Sequence, residues 1–381
     1  MSSFNSQRLA LSVFFFLSGF NFASWTSRIP TIKAALHLNE AELGTILLAM
    51  PISSLIGLPL SGWLVSKFET RIPLTVGFLL NSLCISFIGL ATTPLALIMA
   101  LFLFSLSMRV YNISINTQAI NLQKQHAKKF IGSFHGLWST GGIAGVGFTT
   151  LLVSLEVTII PHLIMVSAIS LAATLFYFRN LVRGDQAPAS DKKGWVKPDA
   201  YILYLGLLVF FAAVCEGGMF DWSGIYFQQV IGEDIFTAGY LIFMTCMAIS
   251  RFGSDKIIDR LGMPTTYVLS GLLISSGIGL AVLFPSFWPA MVGFSMVGFG
   301  AAAVIPMTYT LAGASKTYSP GIAISVIVTF GIVGMLIGPP MIGYLAHAFN
   351  LKVSFVAFAV SGLMLLPISK LFFRMRGQAS Q

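Results

Sequence analysis

One arginine and two asparagines stand out in an otherwise apolar stretch. Arg109 follows residues 72–108, which carry no charged side chain, and Asn112 and Asn116 follow it at +3 and +7. Residues at these offsets share one face of a helix. Guanidinium and amide groups bind carboxylates and hydroxyl groups through several hydrogen bonds. The pattern predicts a face that binds a polar solute; the alternative is a structural ion pair or a set of interhelical hydrogen bonds.

Three further residues are candidates for proton coupling. Glu216 lies deep in an apolar run, and Asp221 follows five residues later. Ionisable residues inside membrane segments commonly mark proton or substrate pathways. Glu216 is the first choice, and its alternative role is that of a fixed partner for Arg109 or a backbone group. His135 is a candidate proton relay because histidine titrates near neutral pH; hydrogen-bonded packing is the favoured alternative.

A second polar face occurs near the N-terminus, where Asn21, Trp25 and Arg28 stand at 0, +4 and +7. Asn21 and Trp25 are predicted to contribute to the solute site. Arg28 is predicted to pair with Asp221 as an outer gate, although interfacial tryptophan and arginine are also common without such a role. Tyr309 follows Pro306, which can bend a helix; it is a candidate for contacting the ligand, with core packing as the alternative.

The amino-acid composition indicates which kind of secondary structure positions these residues. Hydrophobic residues make up 56% of the 381 residues and charged residues 9%, whereas soluble domains carry roughly 25% charged residues. A membrane-crossing helix needs about 20 apolar residues, and β-barrel strands are shorter and alternate in polarity. We therefore predict an all-α membrane protein with twelve spans. They are placed at 9–28, 43–66, 72–91, 95–122, 131–155, 158–178, 200–221, 236–256, 265–284, 290–312, 320–346 and 353–373.

The basic residues predict how the spans are oriented. With the N-terminus inside, all lysines and arginines fall in cytoplasmic segments except Arg28, Lys33 and Lys352 outside and Arg109 within a span. This asymmetry follows the positive-inside rule. It predicts a multi-pass protein of the cytoplasmic (inner) membrane with both termini cytoplasmic. The basic residues behind the net charge of +9 are explained by the orientation of the spans, so no nucleic-acid partner is predicted.

Weak internal similarity divides the chain into two halves. The first span ends on Ser24-Trp25-Thr26 and the seventh on Asp221-Trp222-Ser223, and glycine pairs recur in the fifth and eleventh spans. These pairs include Gly141/Gly145 and Gly334/Gly338, which are predicted to pack the two halves together. We predict six-helix bundles at 1–178 and 200–381, joined by a cytoplasmic linker at 179–199 and related by pseudo-twofold symmetry. Such repeats are typical of secondary transporters, with a solute site near the membrane midplane.

The sequence resembles the major facilitator superfamily, and most closely its YbjJ-type branch related to the fucose permeases. The turn at Ser66-Lys67-Phe68-Glu69 is a degenerate copy of the superfamily signature, and Asp259, Arg260 and Gly262 preserve more of it in the second half. The other residues that carry the resemblance are Ala23-Ser24-Trp25 with Arg28 and Pro30, His135-Gly136-Leu137-Trp138-Ser139, Glu216-Gly217 with Asp221-Trp222, Arg251-Phe252-Gly253, Gly298-Phe299-Gly300 with Pro306, and Gly338-Pro339-Pro340 with Gly343.

The resemblance implies two bundles that rock about a central cavity lined by the first, fourth, seventh and tenth spans. It also implies gating roles for Asp259 and Arg260. The branch often carries an acid in the fourth span where this chain has Asn112, so a proton site there is not expected.

We predict a secondary transporter that moves a small polar solute, sugar-like or carboxylate-bearing, by alternating access with proton symport. The alternatives are an exporter of amphipathic compounds, a non-transporting receptor or a membrane enzyme. No enzymatic activity, cofactor or metal is predicted, because the sequence has neither a phosphate-binding loop nor metal-ligand spacing. A monomer embedded in lipid, with the solute and protons as partners, completes the prediction.

Overall fold

The structure is a computed structural model that describes residues 4–126, 131–185 and 198–378, and these residues are overwhelmingly helical. In the first half the α-helices are α1 Phe4–Thr26, α2 Ile29–Ala35, α3 Glu40–Leu47, α4 Ala49–Lys67, α5 Arg71–Leu90, α6 Pro94–His126, α7 Ile131–Ser154 and α8 Ile159–Tyr177. In the second half they are α9 Ala200–Tyr226, α10 Ala238–Leu283, α11 Phe287–Ala301, α12 Val304–Gly313, α13 Pro320–Ala348, α14 Leu351–Ser354 and α15 Val356–Gln378.

Eleven helical segments of the described chain are long and apolar enough to cross a membrane. One of them, Lys256–Leu283, belongs to α10, whose 46 residues would extend about 69 Å as a single straight helix, more than twice the hydrocarbon core of a bilayer. Gly262 divides α10 into two arms, because its positive φ of 75° is readily adopted only by glycine. The break falls in the predicted turn between the eighth and ninth spans. The all-α membrane fold is thus confirmed.

The chain forms two compact units. The first, called here the N-terminal unit, comprises the described residues of 1–38 and 46–193, and the C-terminal unit comprises those of 39–45 and 194–381. The short segment 39–45 therefore groups with the second half of the chain. Of the predicted linker at 179–199, residues 186–197 lie outside the described residues.

Equivalent helices pack together inside each unit. In the N-terminal unit α1 packs on α7, α4 on α6, and α5 on α6 and α8. In the C-terminal unit α9 packs on α13, α10 on α11, and α15 on α10 and α9. The first and fifth spans of one half thus correspond to the seventh and eleventh of the other, which supports an internal duplication.

The glycines of the fifth and eleventh spans lie inside the units. A Cβ at Gly141 would collide with the backbone of Phe16 in α1, and a Cβ at Gly334 would approach the backbone oxygen of Phe210 in α9 at 2.5 Å. Both contacts join helices of the same unit. The prediction that these glycines pack the two halves together was therefore wrong, because sequence spacing shows a close approach but not which helix makes it.

The chain after α8 is fixed to the N-terminal unit by a polar cluster. The Gln118 amide donates to the Val182 carbonyl at 3.0 Å, and the Val182 N–H donates back to Gln118 Oε1 at 3.2 Å. The buried Asp185 carboxylate accepts from the Thr70 hydroxyl at 2.6 Å and from Asn121 at 3.3 Å. Burial raises the pKa of Asp185 above its usual 3.8, and the hydrogen bonds from Thr70 and Asn121 partly oppose this shift.

This shift predicts how stability depends on pH. The folded protein retains the Asp185 proton to higher pH than the unfolded chain, so stability should fall as pH rises from about 4 through the raised pKa. Asp185→Asn should flatten this dependence in thermal unfolding of the purified protein. Asp185→Ala should destabilise by about 1–3 kcal/mol, because buried donors lose their acceptor. An unchanged pH profile for Asp185→Asn would contradict the assignment.

Candidate functional site

Arg109 lies on α6, half-buried and held against α4 of the same unit. Its Nε donates to the Ser54 hydroxyl at 2.7 Å, and a second guanidinium nitrogen contacts the same oxygen. Ser54 is itself buried. A guanidinium carries five N–H donors in a fixed fork, and this anchor fixes the direction in which the fork points.

Two asparagines extend the same face of α6. Asn116 Nδ2 donates to both the backbone oxygen and Oδ1 of Asn112, at 2.8 and 2.9 Å. Asn112 and Asn116 are half-buried like Arg109, whereas Val110, Tyr111 and Ser114 on other faces are buried. We call Arg109, Asn112 and Asn116 the α6 polar stripe, and Ser54 of α4 is the anchor of its arginine. The stripe provides both donors and acceptors for a hydroxyl-rich or anionic solute.

Glu216 forms a buried ion pair inside the C-terminal unit. Its Oε1 accepts from an Arg251 guanidinium nitrogen at 2.8 Å, and the Glu216 and Arg251 side chains are 7% and 28% exposed. Within the described chain, Glu216 Oε2 and Arg251 Nε are buried without a hydrogen-bond partner. The pair joins α9 to the first arm of α10. Both Glu216 and Arg251 thus retain unused hydrogen-bonding capacity.

This pairing bears on two expectations. Arg251 was counted with the cytoplasmic topology charges, but it lies in a helix and balances the Glu216 carboxylate. The proposed partnership of Glu216 with Arg109 is replaced by Arg251 in this structure. The sequence did contain a signal for this pair, because Arg251 falls inside the predicted eighth span, 236–256, and not in a loop.

Asn21 and Trp25 lie inside the N-terminal unit. Both are almost completely buried. Asn21 Oδ1 accepts from the Ser170 hydroxyl at 2.6 Å, and the Trp25 ring packs edge-on against Phe104 at 5.9 Å. Asn21 Nδ2 and Trp25 Nε1 are buried without a hydrogen-bond partner among the described residues. The contribution of both residues to a solute site stays a prediction.

Arg28 is buried at the end of α1 and joins it to α8. Its Nε donates to His162 Nδ1 at 3.1 Å, and another nitrogen donates to the Val157 carbonyl at 2.7 Å. His162 is fully buried and also approaches the Thr149 hydroxyl at 3.4 Å. The guanidinium is thereby engaged within the N-terminal unit. These contacts do not support the outer gate predicted between Arg28 and Asp221.

The other predicted site residues occupy varied positions. Asp221 is half-buried near the end of α9, without a hydrogen bond to any described residue, and Tyr309 is half-buried on α12. His135 is exposed near the start of α7, with the Phe15 ring 5.6 Å away. Asp259 and Arg260 are exposed on the first arm of α10. The structure brings none of these five side chains into the Glu216–Arg251 pair.

The sequence matches the family model of the Major Facilitator Superfamily over residues 11–317. The chain belongs to this superfamily. It is 31% identical to an uncharacterized MFS-type transporter of Yersinia pestis, over 96% of this chain and 94% of that protein. It is 27% identical to the membrane protein MosC of Rhizobium meliloti, over 96% and 90%. The protein is therefore a membrane transporter of the major facilitator type rather than a member of an enzyme family.

Solved structures of other superfamily members share its fold. A variant of the nucleoside transporter NupG superposes with a TM-score of 0.78 at 14% identity, covering 96% of this chain and all of that one. An inward-facing, occupied bacterial homologue of the lysosomal transporter Spinster gives 0.77 at 16% identity, covering 96% of each chain. At these identities the similarity establishes the major facilitator fold and nothing about the solute.

Proposed function

We propose that this major facilitator protein is a secondary transporter for a small polar solute, either sugar-like or carboxylate-bearing. The observation that carries the proposal is the α6 polar stripe. A charged residue inside a membrane segment costs at least roughly 2.5–3.5 kcal/mol unless it faces a partner or water. Arg109 is half-buried on the same face as Asn112 and Asn116, and its Nε donates to the Ser54 hydroxyl, so this face places a guanidinium and two amides where a polar solute group can bind.

Proton symport is the second part of the proposal, and it rests on the Glu216–Arg251 pair. Breaking a buried ion pair by removing one charge is unfavourable. Protonation of Glu216 removes its charge, and an anionic or hydroxyl-bearing solute group can then satisfy Arg251. In this scheme proton and solute binding favour each other, which is the requirement for symport.

The remaining parts of the proposal concern the direction of transport, the membrane topology and the oligomeric state. The protein takes up its solute across the cytoplasmic membrane by alternating access, and the distribution of basic residues supports the cytoplasmic placement of both termini. The bundles proposed at 1–178 and 200–381 act as the moving parts, and the protein works as a monomer. The resemblance of the sequence motifs to those of the fucose permeases is the reason for proposing a sugar-like solute. Export of amphipathic compounds is the competing function.

The direct test is thermal unfolding of the purified protein with a panel of sugars, nucleosides, amino acids, organic acids and amphipathic drugs. A ligand that binds the folded state raises the unfolding temperature. We expect a polar compound to stabilise the protein, and the shift to vanish in Arg109→Ala but persist in Arg374→Ala, an exposed arginine of α15. Stabilisation by amphipathic compounds alone, equal in both variants, would support the exporter instead.

A further inference from the structure

The N-terminal unit has an apolar groove on its outer surface, between α4, α5 and α6. The groove encloses about 340 Å³ and is lined by apolar side chains, among them Leu64, Ile72, Val76, Leu80 and Leu103. Four of these are exposed, between 44% and 52% for Ile72, Val76, Leu80 and Leu103. In a membrane-embedded unit, exposed leucine, valine and isoleucine face lipid because water would penalise them.

The length of the groove fits an acyl chain. Its α5 side extends from Ile72 to Phe87, and fifteen residues of helix rise about 22 Å. One leaflet of a bilayer is about 15 Å deep, half of the roughly 30 Å hydrocarbon core. A hydrocarbon chain that enters at the Ile72 end therefore remains in contact with the groove over the full depth of its leaflet.

The Ile72 end of the groove carries positive charge. Lys67 and Arg71 directly precede the lining residues Phe68 and Ile72. The Lys67 ammonium lies 4.8 Å from the Trp63 ring centroid and 5.7 Å from that of Phe68, so it stays at the groove mouth.

Glu69 Oε2 accepts from Arg71 Nε at 2.6 Å. Among the described residues this is the single acceptor of the guanidinium, which leaves it further donors for a phosphate.

We propose that this groove is a binding site for one anionic phospholipid. Its acyl chain occupies the groove between α4, α5 and α6, and its phosphate is bound by Lys67 and Arg71 at the predicted cytoplasmic side. Glu69 acts as a competitor for Arg71, so it sets the strength of the site. The proposal is independent of the solute and of proton coupling, because it uses none of the residues assigned to either.

The test compares lipid retention by native mass spectrometry after purification in mixed micelles of phosphatidylglycerol and phosphatidylcholine. We expect the protein to retain phosphatidylglycerol with roughly tenfold preference, since Lys67 and Arg71 each favour an anionic headgroup about fivefold and Glu69 offsets part of this effect. Lys67→Ala with Arg71→Ala should remove this preference. The matched control, Lys370→Ala with Arg374→Ala on α15, should retain it.

Two further variants separate the headgroup from the acyl chain. Glu69→Gln should increase the preference for phosphatidylglycerol, because Arg71 is released to the phosphate. Val76→Trp, which fills the groove from its exposed side, should reduce retention of both lipids. Equal retention of the two lipids by the unaltered protein, or a preference unchanged by the Lys67/Arg71 double variant, would overturn the proposal. Glu69→Gln keeps the test decisive if the double variant unfolds, since a failure to increase the preference also contradicts it.

Discussion

Replacing Glu216 by glutamine is expected to abolish proton-driven accumulation of the solute, lowering uphill uptake in proteoliposomes at least roughly tenfold. Glutamine preserves the shape and a hydrogen bond to Arg251 but cannot accept a proton. One-for-one exchange of external for internal solute requires no net proton movement and should continue. The two assays together separate loss of coupling from loss of binding.

The same variant also leaves a partly buried arginine without its countercharge. Because Arg251 is 28% exposed, we expect a destabilisation of about 1–3 kcal/mol, below the value for a fully buried pair. Adding Arg251→Gln removes the unpaired charge and should restore most of the stability but none of the coupling. Uphill accumulation that survives in Glu216→Gln would refute the proton assignment, and a double variant that restores coupling would show that the pair is purely structural.

Replacing Arg109 by alanine is expected to weaken solute binding by roughly 10- to 100-fold, the equivalent of one or two charge-assisted hydrogen bonds. The variant should fold, since Arg109 is half-buried and Ser54 can turn its hydroxyl to its own helix. Arg109→Lys should recover the charge but not the bidentate geometry, and binding should be intermediate. The variants are compared by measuring equilibrium binding of the compound that the thermal-unfolding panel identifies.

Ser54→Ala provides a finer test of the same site. It removes the hydroxyl that fixes the Arg109 fork while leaving the charge in place, so we attribute any loss to orientation alone. We expect solute binding to weaken by roughly a few-fold, which is less than in Arg109→Ala. Binding that is unaffected in Arg109→Ala would return Arg109 to a structural role with Ser54.

The membrane fold could be predicted from the sequence because lipid imposes a strong rule. Apolar runs long enough to cross a bilayer are readable without knowing any contact, and the break at Gly262 coincided with a turn already expected from charge. The contacts of Gly141 and Gly334 could not be predicted in the same way. A small residue permits close approach by any neighbour, so only the structure identifies the partner helix.

The site was partly predictable for a similar reason. Spacing placed Arg109, Asn112 and Asn116 on one face, and the structure retains that face as the half-buried stripe of α6. The same spacing argument assigned Asn21 to the site but could not show that its Oδ1 accepts a hydrogen bond from Ser170 on a neighbouring helix, so that assignment stays a prediction. Arg251 was overlooked as the partner of Glu216, since pairing between α9 and α10 depends on tertiary packing and leaves no local pattern.

The central claim is that this chain couples the movement of a polar solute to protons, and transport in proteoliposomes tests it most directly. The stabilising compound from the ligand panel is supplied outside, with an inwardly directed proton gradient imposed across the membrane. We predict accumulation above the external concentration, collapsed by a protonophore and absent in Glu216→Gln. Binding without any flux, or flux indifferent to the proton gradient, would contradict the account.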